Sequence, residues 1–422
     1  MPADFIIVGA GTAGCVLAER LTTRGASVLI LEAGGSDRHM HVQIPAAFPK
    51  LFKTKRDWAY ETTPQPTLNE RRIFWPRGKM LGGSSSMNAQ IHQWCCASDF
   101  DQWRVGGAEG WGWDDMRPSL ERIDKVLNGG ALRTPNQMTH AFLKAAAACG
   151  LPSVSTHNGG LLKAGAAIAT VAHRDGARLN AAEAFLRPAL RKNARVMTET
   201  KVRRIIFENR KAVGVEILRN GAVQALRAER GVILAAGAIN SPQLLMHSGI
   251  GDGEALRRSN VKLLQHAPGV GANLQDHLDV TTLQHCTQPI SYDRASEAKT
   301  AFDYFLRGHR GPGTSNIAEG AGFFRSPLAT DARAAADVLG GVLQGLRAAE
   351  VDRRLDVGRQ PSAEVDRDLS LELQAPGLGG EGGAEPERLD RRRVEPVDRR
   401  AELDDARLEV VLELGEDAVG AV

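Results

Sequence analysis

The first 32 residues alternate apolar and polar segments in the order expected of a βαβ unit. Residues 5–8 form a continuous apolar run, which is typical of a strand buried on both faces of a parallel sheet. An amphipathic segment follows, and a second apolar run at 28–31 ends at the acidic Glu32. This pattern predicts strand, helix and strand, with the two strands parallel in one sheet.

Glycine is concentrated between the first strand and the helix, in the segment GAGTAG. Gly9 permits a tight turn, Gly11 lets the backbone approach a pyrophosphate, and Gly14 lets the helix pack closely on the strand. Thr12 and Ala13 open the helix, where free N–H groups and the helix dipole favour phosphate. The spacing predicts a dinucleotide site, although glycine turns also occur for other reasons.

Glu32 and Ala33 follow the second strand, where a carboxylate can accept hydrogen bonds from both hydroxyls of an adenosine ribose. Further along, a Trp-anchored turn and then a helix are predicted within 100–127. Helices are also predicted at 138–149 and 179–190, the last capped by Asn180. Residues 196–226 alternate as strands, with a hairpin turn at Asn220 and Gly221.

The segment WPRGKMLGGSSSMNAQI at 75–91 has little hydrophobic periodicity. Its Gly82, Gly83, Ser84 and Ser85 can present consecutive N–H donors and small hydroxyls to a phosphate or a flavin ring. A flexible Ser/Gly linker is the alternative interpretation. A linker would not need the larger side chains of this segment, which are Arg77, Met80, Leu81, Met87 and Asn88.

Residues 231–251, GVILAAGAINSPQLLMHSGIG, repeat the strand, small-residue turn and helix. The helix is predicted to begin near Ser241 and Pro242. Small residues at the end of a strand, here Ala236 and Gly237, again allow a cofactor to approach.

These motifs resemble the glucose-methanol-choline (GMC) family of oxidoreductases that depend on flavin adenine dinucleotide (FAD). Residues 4–32 resemble its FAD fingerprint, RGKMLGGSSSMN its first signature, and 231–251 its second. The resemblance implies FAD as cofactor, with the backbone of Val202 at the adenine and Asn88 near the isoalloxazine ring. The expected cofactor-binding residues are Gly9, Gly11, Thr12, Ala13, Gly14, Glu32, Ala33, Arg77, Met80, Gly82, Gly83, Ser84, Asn88, Ala89, Val202, Ala236 and Gly237.

One departure from the family pattern concerns the wall of the flavin site. His92, Cys95 and Cys96 stand where relatives carry an aromatic residue and an Arg-Gly turn. The family's catalytic base is a histidine paired with a second histidine or an asparagine in the C-terminal third, and no histidine follows His309 here. No catalytic residue is therefore assigned.

Two other histidines lie near the motifs. His247 is expected to be structural, at the end of a helix. His277 ends NLQDH, which the family places near the flavin without making it the base.

The resemblance implies an α/β fold, an FAD-binding Rossmann-like (doubly wound βαβ) domain with an α+β substrate domain that is incomplete. The FAD-binding domain is expected mainly at 1–120 and 195–280, and the start of the substrate domain at about 121–194 and 281–330. From Arg333 onward the chain has no Phe, Trp, Tyr, Ile, Met, Lys, His, Cys, Asn or Thr. Residues 331–422 are therefore expected to be a low-complexity, disordered tail, or the product of a GC-rich gene translated in a shifted reading frame. The shifted reading frame is the favoured interpretation.

The amino-acid composition limits which binding partners and which cellular compartment we expect. A net charge of +3 gives no reason to expect nucleic acid or an anionic membrane. The five cysteines are odd in number without metal-ligand spacing, and His39 and His41 are expected to be surface residues, so we expect no metal and reduced thiols in the cytoplasm. No apolar run reaches the ~18 residues of a membrane span.

The expected function is an FAD-dependent alcohol dehydrogenase of choline dehydrogenase-like type, with a small alcohol and an electron acceptor as partners. A non-catalytic, truncated FAD-binding remnant is the alternative, and a plain NAD dehydrogenase is a minor third. Because the expected base is missing, this chain is not expected to turn over alcohols.

Overall fold

The computed structural model of the protein describes residues 2–127, 129–158, 164–276, 286–292, 295–325 and 335–338. All of them belong to one compact unit. His277 and most of the compositionally biased tail lie outside the described residues, so the expectations about them stay predictions. Among the described residues, no helix has the length and apolar character to cross a membrane.

The strands are numbered in chain order. They are β1 Ala3–Val8, β2 Val28–Leu31, β3 Tyr60–Glu61, β4 Phe74–Trp75, β5 Gly130–Ala131, β6 Gly165–Ile168, β7 Thr170–Val171, β8 His173–Arg174, β9 Ala177–Arg178, β10 Ala194–Met197, β11 Lys201–Glu208, β12 Lys211–Arg219, β13 Ala222–Leu234, β14 Ile250–Gly251, β15 Gln265–His266, β16 Gly320–Arg325 and β17 Ala335–Val338.

The helices are numbered in the same way. They are α1 Thr12–Thr23, α2 Met40–Gln43, α3 Ala97–Val105, α4 Trp113–Leu127, α5 Gln137–Ala148, α6 Arg187–Leu190, α7 Gly237–His247, α8 Gly253–Arg258 and α9 Glu297–Phe305. Short 3₁₀ segments occur at Pro45–Leu51, Pro66–Leu68, Gly83–Ser86 and Gly311–Thr314, and a π-helical turn at Ala182–Leu186.

A six-stranded sheet in the order β10-β2-β1-β13-β12-β11 carries the predicted βαβ unit. The strands β10, β2, β1 and the second half of β13 are parallel, and β11, β12 and the first half of β13 form an antiparallel meander. Successive side chains of β1 enter different cores: Ile7 packs on the α1 side, and Ile6 and Val8 pack with the meander and α7. Burial on both faces explains the continuous apolar runs of β1 and β2.

Most predicted elements are present, with differences at their ends. The hairpin turn has φ of 51° at Asn220 and 75° at Gly221, as a turn with two left-handed residues requires. The helix predicted at 179–190 begins two residues later, at 181, and its first turn is π-helical. The Asn180 side chain accepts from Glu183 N at 2.8 Å, as expected of a cap. The helix expected near Ser241 begins earlier, at Gly237, because Ser241 Oγ accepts from Ala236 N and tightens the first turn.

The start of the expected substrate domain is a sheet in the order β17-β16-β6, packed against α5. The strand β17 lies within the compositionally biased segment. Next to this sheet, the fully buried carboxylate of Glu319 accepts hydrogen bonds from Asn136 N, Thr139 Oγ1, Tyr292 Oη and Ser315 Oγ, at 2.6–2.7 Å. The contacts with Asn136 and Thr139 join segments about 180 residues apart in the chain.

Candidate cofactor site

The first glycine turn has three glycines with different surroundings. Gly9 has a φ of +104°, and a Cβ there would lie 2.4 Å from the carbonyl oxygen of Ala235. A Cβ on Gly14 would lie 2.0 Å from the carbonyl oxygen of Gly9. These two glycines therefore have the turn and packing roles that the sequence predicts. At Gly11, φ is an ordinary −75° and the nearest atom to a Cβ would be 3.9 Å away.

The space in front of Gly11 belongs to a cavity of about 680 Å³. The helix α1 starts beside it at Thr12, and no side chain caps its N terminus. Thr12 and Ala13 also line the cavity. Uncapped N–H groups at the positive end of a helix form a site suited to phosphate.

Glu32 lies at the end of β2 with only 6% of its surface exposed. Its carboxylate accepts hydrogen bonds from Ala10 N and Gly34 N, both at 2.9 Å. Burial raises the pKa of this carboxyl, and the two backbone hydrogen bonds oppose that rise. Because a carboxylate has about four acceptor positions, two remain for donors in the cavity that Glu32 lines.

The second glycine-rich segment packs directly on the first. Gly82 N donates to Ala10 O at 2.7 Å, and a Cβ on Gly83 would lie 2.7 Å from Gly11 Cα. A Cβ on Gly78 would lie 2.2 Å from Gly83 O. Such close backbone contacts are incompatible with a flexible linker, so that alternative is wrong.

A buried arginine fixes the end of this segment. Arg178, 7% exposed, donates to Val42 O, Ser85 O, and both the backbone oxygen and Oδ1 of Asn88, at 2.8–3.0 Å. Burial lowers its pKa to about 9. The four hydrogen bonds hold residues 85–88 in one conformation at the cavity wall.

The cavity brings together most of the residues expected to bind the cofactor. These are Gly9, Gly11, Thr12, Ala13, Glu32, Ala33, Arg77, Gly83, Ser84, Asn88, Val202, Ala236 and Gly237. The structure does not place Gly14, Met80, Gly82 or Ala89 in the wall. Gly14 packs beneath the turn, and Met80 is fully buried in a small apolar cluster with Val42 and Leu51.

Sequence reasoning missed an aromatic part of the wall. Tyr60 Oη donates to Asn240 Oδ1 at 2.6 Å, and the Tyr60 ring stacks on Trp58 with centroids 5.8 Å apart. All three residues line the cavity. Burial raises the pKa of the Tyr60 phenol. The aromatic residues in the otherwise polar DWAYETTPQP segment at 57–66 were the available signal.

The expected departure at His92 also lies in the wall. His92 Nε2 is hydrogen-bonded to Asp124 of α4, which also accepts from the indole N–H of Trp94 at 3.2 Å. Apolar residues of α4, among them Leu120 and Ile123, line the same region.

The other histidines considered lie elsewhere. His247 is the last residue of α7 and does not line the cavity, in agreement with a helix-end role. His39 and His41, expected to be surface residues, are both half-buried. The Nδ1 of His39 accepts from His41 N at 3.2 Å, which caps α2. Among the described residues no group of histidine, cysteine and acidic side chains is arranged to hold a metal.

Comparison with known proteins gives consistent matches. The GMC oxidoreductase family model matches residues 3–279. An uncharacterized GMC-type oxidoreductase of Mycobacterium bovis is 41% identical over 342 residues, covering 76% of this chain and 64% of that protein. The mitochondrial choline dehydrogenase of Mus musculus is 38% identical over 348 residues, covering 76% of this chain and 58% of that protein.

Solved structures of flavin-dependent and other oxidases are also similar to this chain. A variant formate oxidase of Aspergillus oryzae, studied for FAD modification, matches with a TM-score of 0.67 and 27% identity over 77% of this chain and 62% of that chain. Pyridoxine 4-oxidase of Mesorbium loti matches with a TM-score of 0.58 and 32% identity, over 63% and 55% of the two chains. The chain thus spans 58–64% of the curated relatives described above. It belongs to the GMC oxidoreductase family, with FAD as its cofactor.

Proposed function

We propose that the cavity holds FAD along its length. The pyrophosphate lies at Gly11 and the start of α1, the adenosine ribose at Glu32, and the adenine at the backbone of Val202. The second glycine segment, with Gly83 and Asn88, supports the flavin. The observation that carries this proposal is the open space at Gly11. A Cβ at this position would approach no protein atom closer than 3.9 Å, so the fold itself does not require a glycine there.

We infer that the complete protein is an FAD-dependent oxidoreductase that acts on the CH–OH group of a small alcohol, in the manner of choline dehydrogenase, with an acceptor other than nicotinamide. FAD supplies the hydride-accepting chemistry when it is bound. The residues of this chain bind the cofactor, orient it and surround it. The similarity to choline dehydrogenase over 76% of the chain supports this substrate class.

A non-catalytic FAD-binding remnant is the second candidate. The observations that favour it are the biased composition after Arg333, without any histidine, and the coverage of only 58–64% of the relatives. Without a positioned base, an alcohol oxidation typically loses about 10²–10⁴-fold in rate. We therefore propose that this chain binds FAD but does not turn over alcohols by itself.

The purified chain, loaded with FAD, tests both candidates. We expect one FAD per chain and no bleaching of the flavin absorbance with choline, aliphatic or aromatic alcohols under anaerobic conditions. Alcohol-dependent reduction of an artificial electron acceptor would show that this chain is catalytically complete. Rapid bleaching by NADH without alcohol would contradict the assignment to a non-nicotinamide oxidoreductase.

A further inference from the structure

Gln90 occupies an unusual position at the end of the second glycine segment. It is 2% exposed and has a left-handed backbone with φ of 60°, which is uncommon for a residue other than glycine. Its backbone is held on both sides, because Gln90 N donates to Asn88 Oδ1 at 3.1 Å and Gln90 O accepts from Ala172 N at 3.0 Å. Gln90 also lines the cavity.

The side-chain amide of Gln90 has no hydrogen-bond partner among the described residues, although both its Oε1 and its Nε2 are buried. Neighbouring polar side chains differ: Ser85 and Ser86 donate to backbone oxygens, and Asn88 Oδ1 accepts from Arg178. Leaving a buried amide unpaired is unfavourable, and most buried polar groups in proteins are paired. The strained backbone and the unpaired amide point to a partner that the described residues do not supply.

The chemistry of an amide limits what that partner can be. A glutamine side chain offers N–H donors and a carbonyl acceptor side by side. The pyrimidine edge of a flavin ring presents the complement, with N–H and C=O groups next to each other. An adenine or phosphate end of the ligand would be bound elsewhere, at Glu32 and Gly11, under the proposed function.

We propose that the Gln90 side chain binds the polar edge of the flavin ring, with its amide donating to a ring carbonyl and accepting from a ring N–H. This inference rests on the proposed binding of FAD in the cavity. It assigns the ring end of the cofactor to the wall at Gln90, and it makes Gln90 a ring-recognition residue.

Comparison of FAD with ADP tests this assignment, because ADP has the pyrophosphate and adenosine but no flavin ring. The variant Gln90→Met keeps the length of the side chain and removes its hydrogen bonds. We expect FAD to bind it roughly tenfold more weakly, as loss of about one net hydrogen bond predicts, with ADP affinity unchanged. The apo variant should also melt at a higher temperature, since an unpaired buried amide is removed.

Gln102→Met is the matched control, because Gln102 is exposed and lies outside the cavity wall. It should leave both affinities and the flavin absorption spectrum unchanged, whereas Gln90→Met should shift the spectrum. Wild-type FAD affinity in Gln90→Met would overturn the assignment, as would an equal loss for FAD and ADP. If the unsubstituted chain bound neither ligand, the proposed function itself would fail.

Discussion

Replacement of Gly11 by alanine distinguishes an effect on ligand binding from an effect on the stability of the fold. Its φ of −75° suits any residue, and the added methyl would approach no protein atom closer than 3.9 Å. We therefore expect the free energy of unfolding of the apo protein to change by no more than about 1 kcal/mol, the scale of a helix N-cap effect. The methyl would, however, occupy the space proposed for the pyrophosphate.

The size of the binding defect follows from the hydrogen bonds that are lost. A hydrogen bond to a charged acceptor contributes about 1.5–3 kcal/mol. Displacing the pyrophosphate from one or two N–H groups at the start of α1 should therefore weaken FAD binding by about 3 kcal/mol, or roughly 100-fold in Kd. ADP should lose as much, since the defect lies at the phosphates.

Titration of apo protein with FAD, followed by flavin fluorescence, measures this effect beside thermal unfolding of each variant. Gly231→Ala is the control, because a Cβ there meets no atom within 4 Å and Gly231 lies outside the cavity wall. Gly14→Ala should instead destabilise the apo fold, since its Cβ would lie 2.0 Å from Gly9 O. A folded Gly11→Ala variant with wild-type FAD affinity would refute the placement of the pyrophosphate.

Two further predictions concern stability. Glu319→Gln should lower the free energy of unfolding by about 2–4 kcal/mol in urea titrations, because it places an NH₂ group against hydrogen-bond donors. The exposed Glu121→Gln is the control, and an equal effect of both substitutions would contradict the reasoning. His173 is buried, and burial together with Arg178 lowers its pKa to about 4 from 6.5. Between pH 6.5 and 4 this histidine is protonated in the unfolded chain but not in the folded protein. The free energy of unfolding should therefore fall by on the order of 3 kcal/mol as pH drops from about 6.5 to about 4. His173→Phe should show a smaller fall over the same pH range.

The sequence predicted the features that depend on local chain geometry. No other residue fits at Gly9 and Gly14 in this tight strand-to-helix turn. Strands that are buried on both faces of a sheet can be recognised in the sequence as continuous apolar runs. The hairpin turn at Asn220 and Gly221 also depends on local backbone geometry, because both residues have a left-handed conformation. For this reason the βαβ unit, the meander and the glycine-rich parts of the cavity wall could be predicted before the structure.

Contacts between distant segments could not be predicted in this way. Arg178 fixes Asn88 from 90 residues away, and nothing in the RLNAAEAF sequence indicates that its arginine is buried. The same holds for the pairing of Tyr60 with Asn240 and for the unpaired amide of Gln90. Such features depend on which segments share a cavity wall, and only the assembled fold determines that.

A crystal structure of the chain with FAD tests the central claim most directly. The account predicts one FAD in the cavity, with its pyrophosphate within hydrogen-bond distance of the N–H groups at Gly11–Ala13, a ribose hydroxyl on Glu32, and the polar edge of the flavin ring on Gln90. A nucleotide bound elsewhere, or bound here with its ring at Glu32 and its adenine at Gln90, would contradict it.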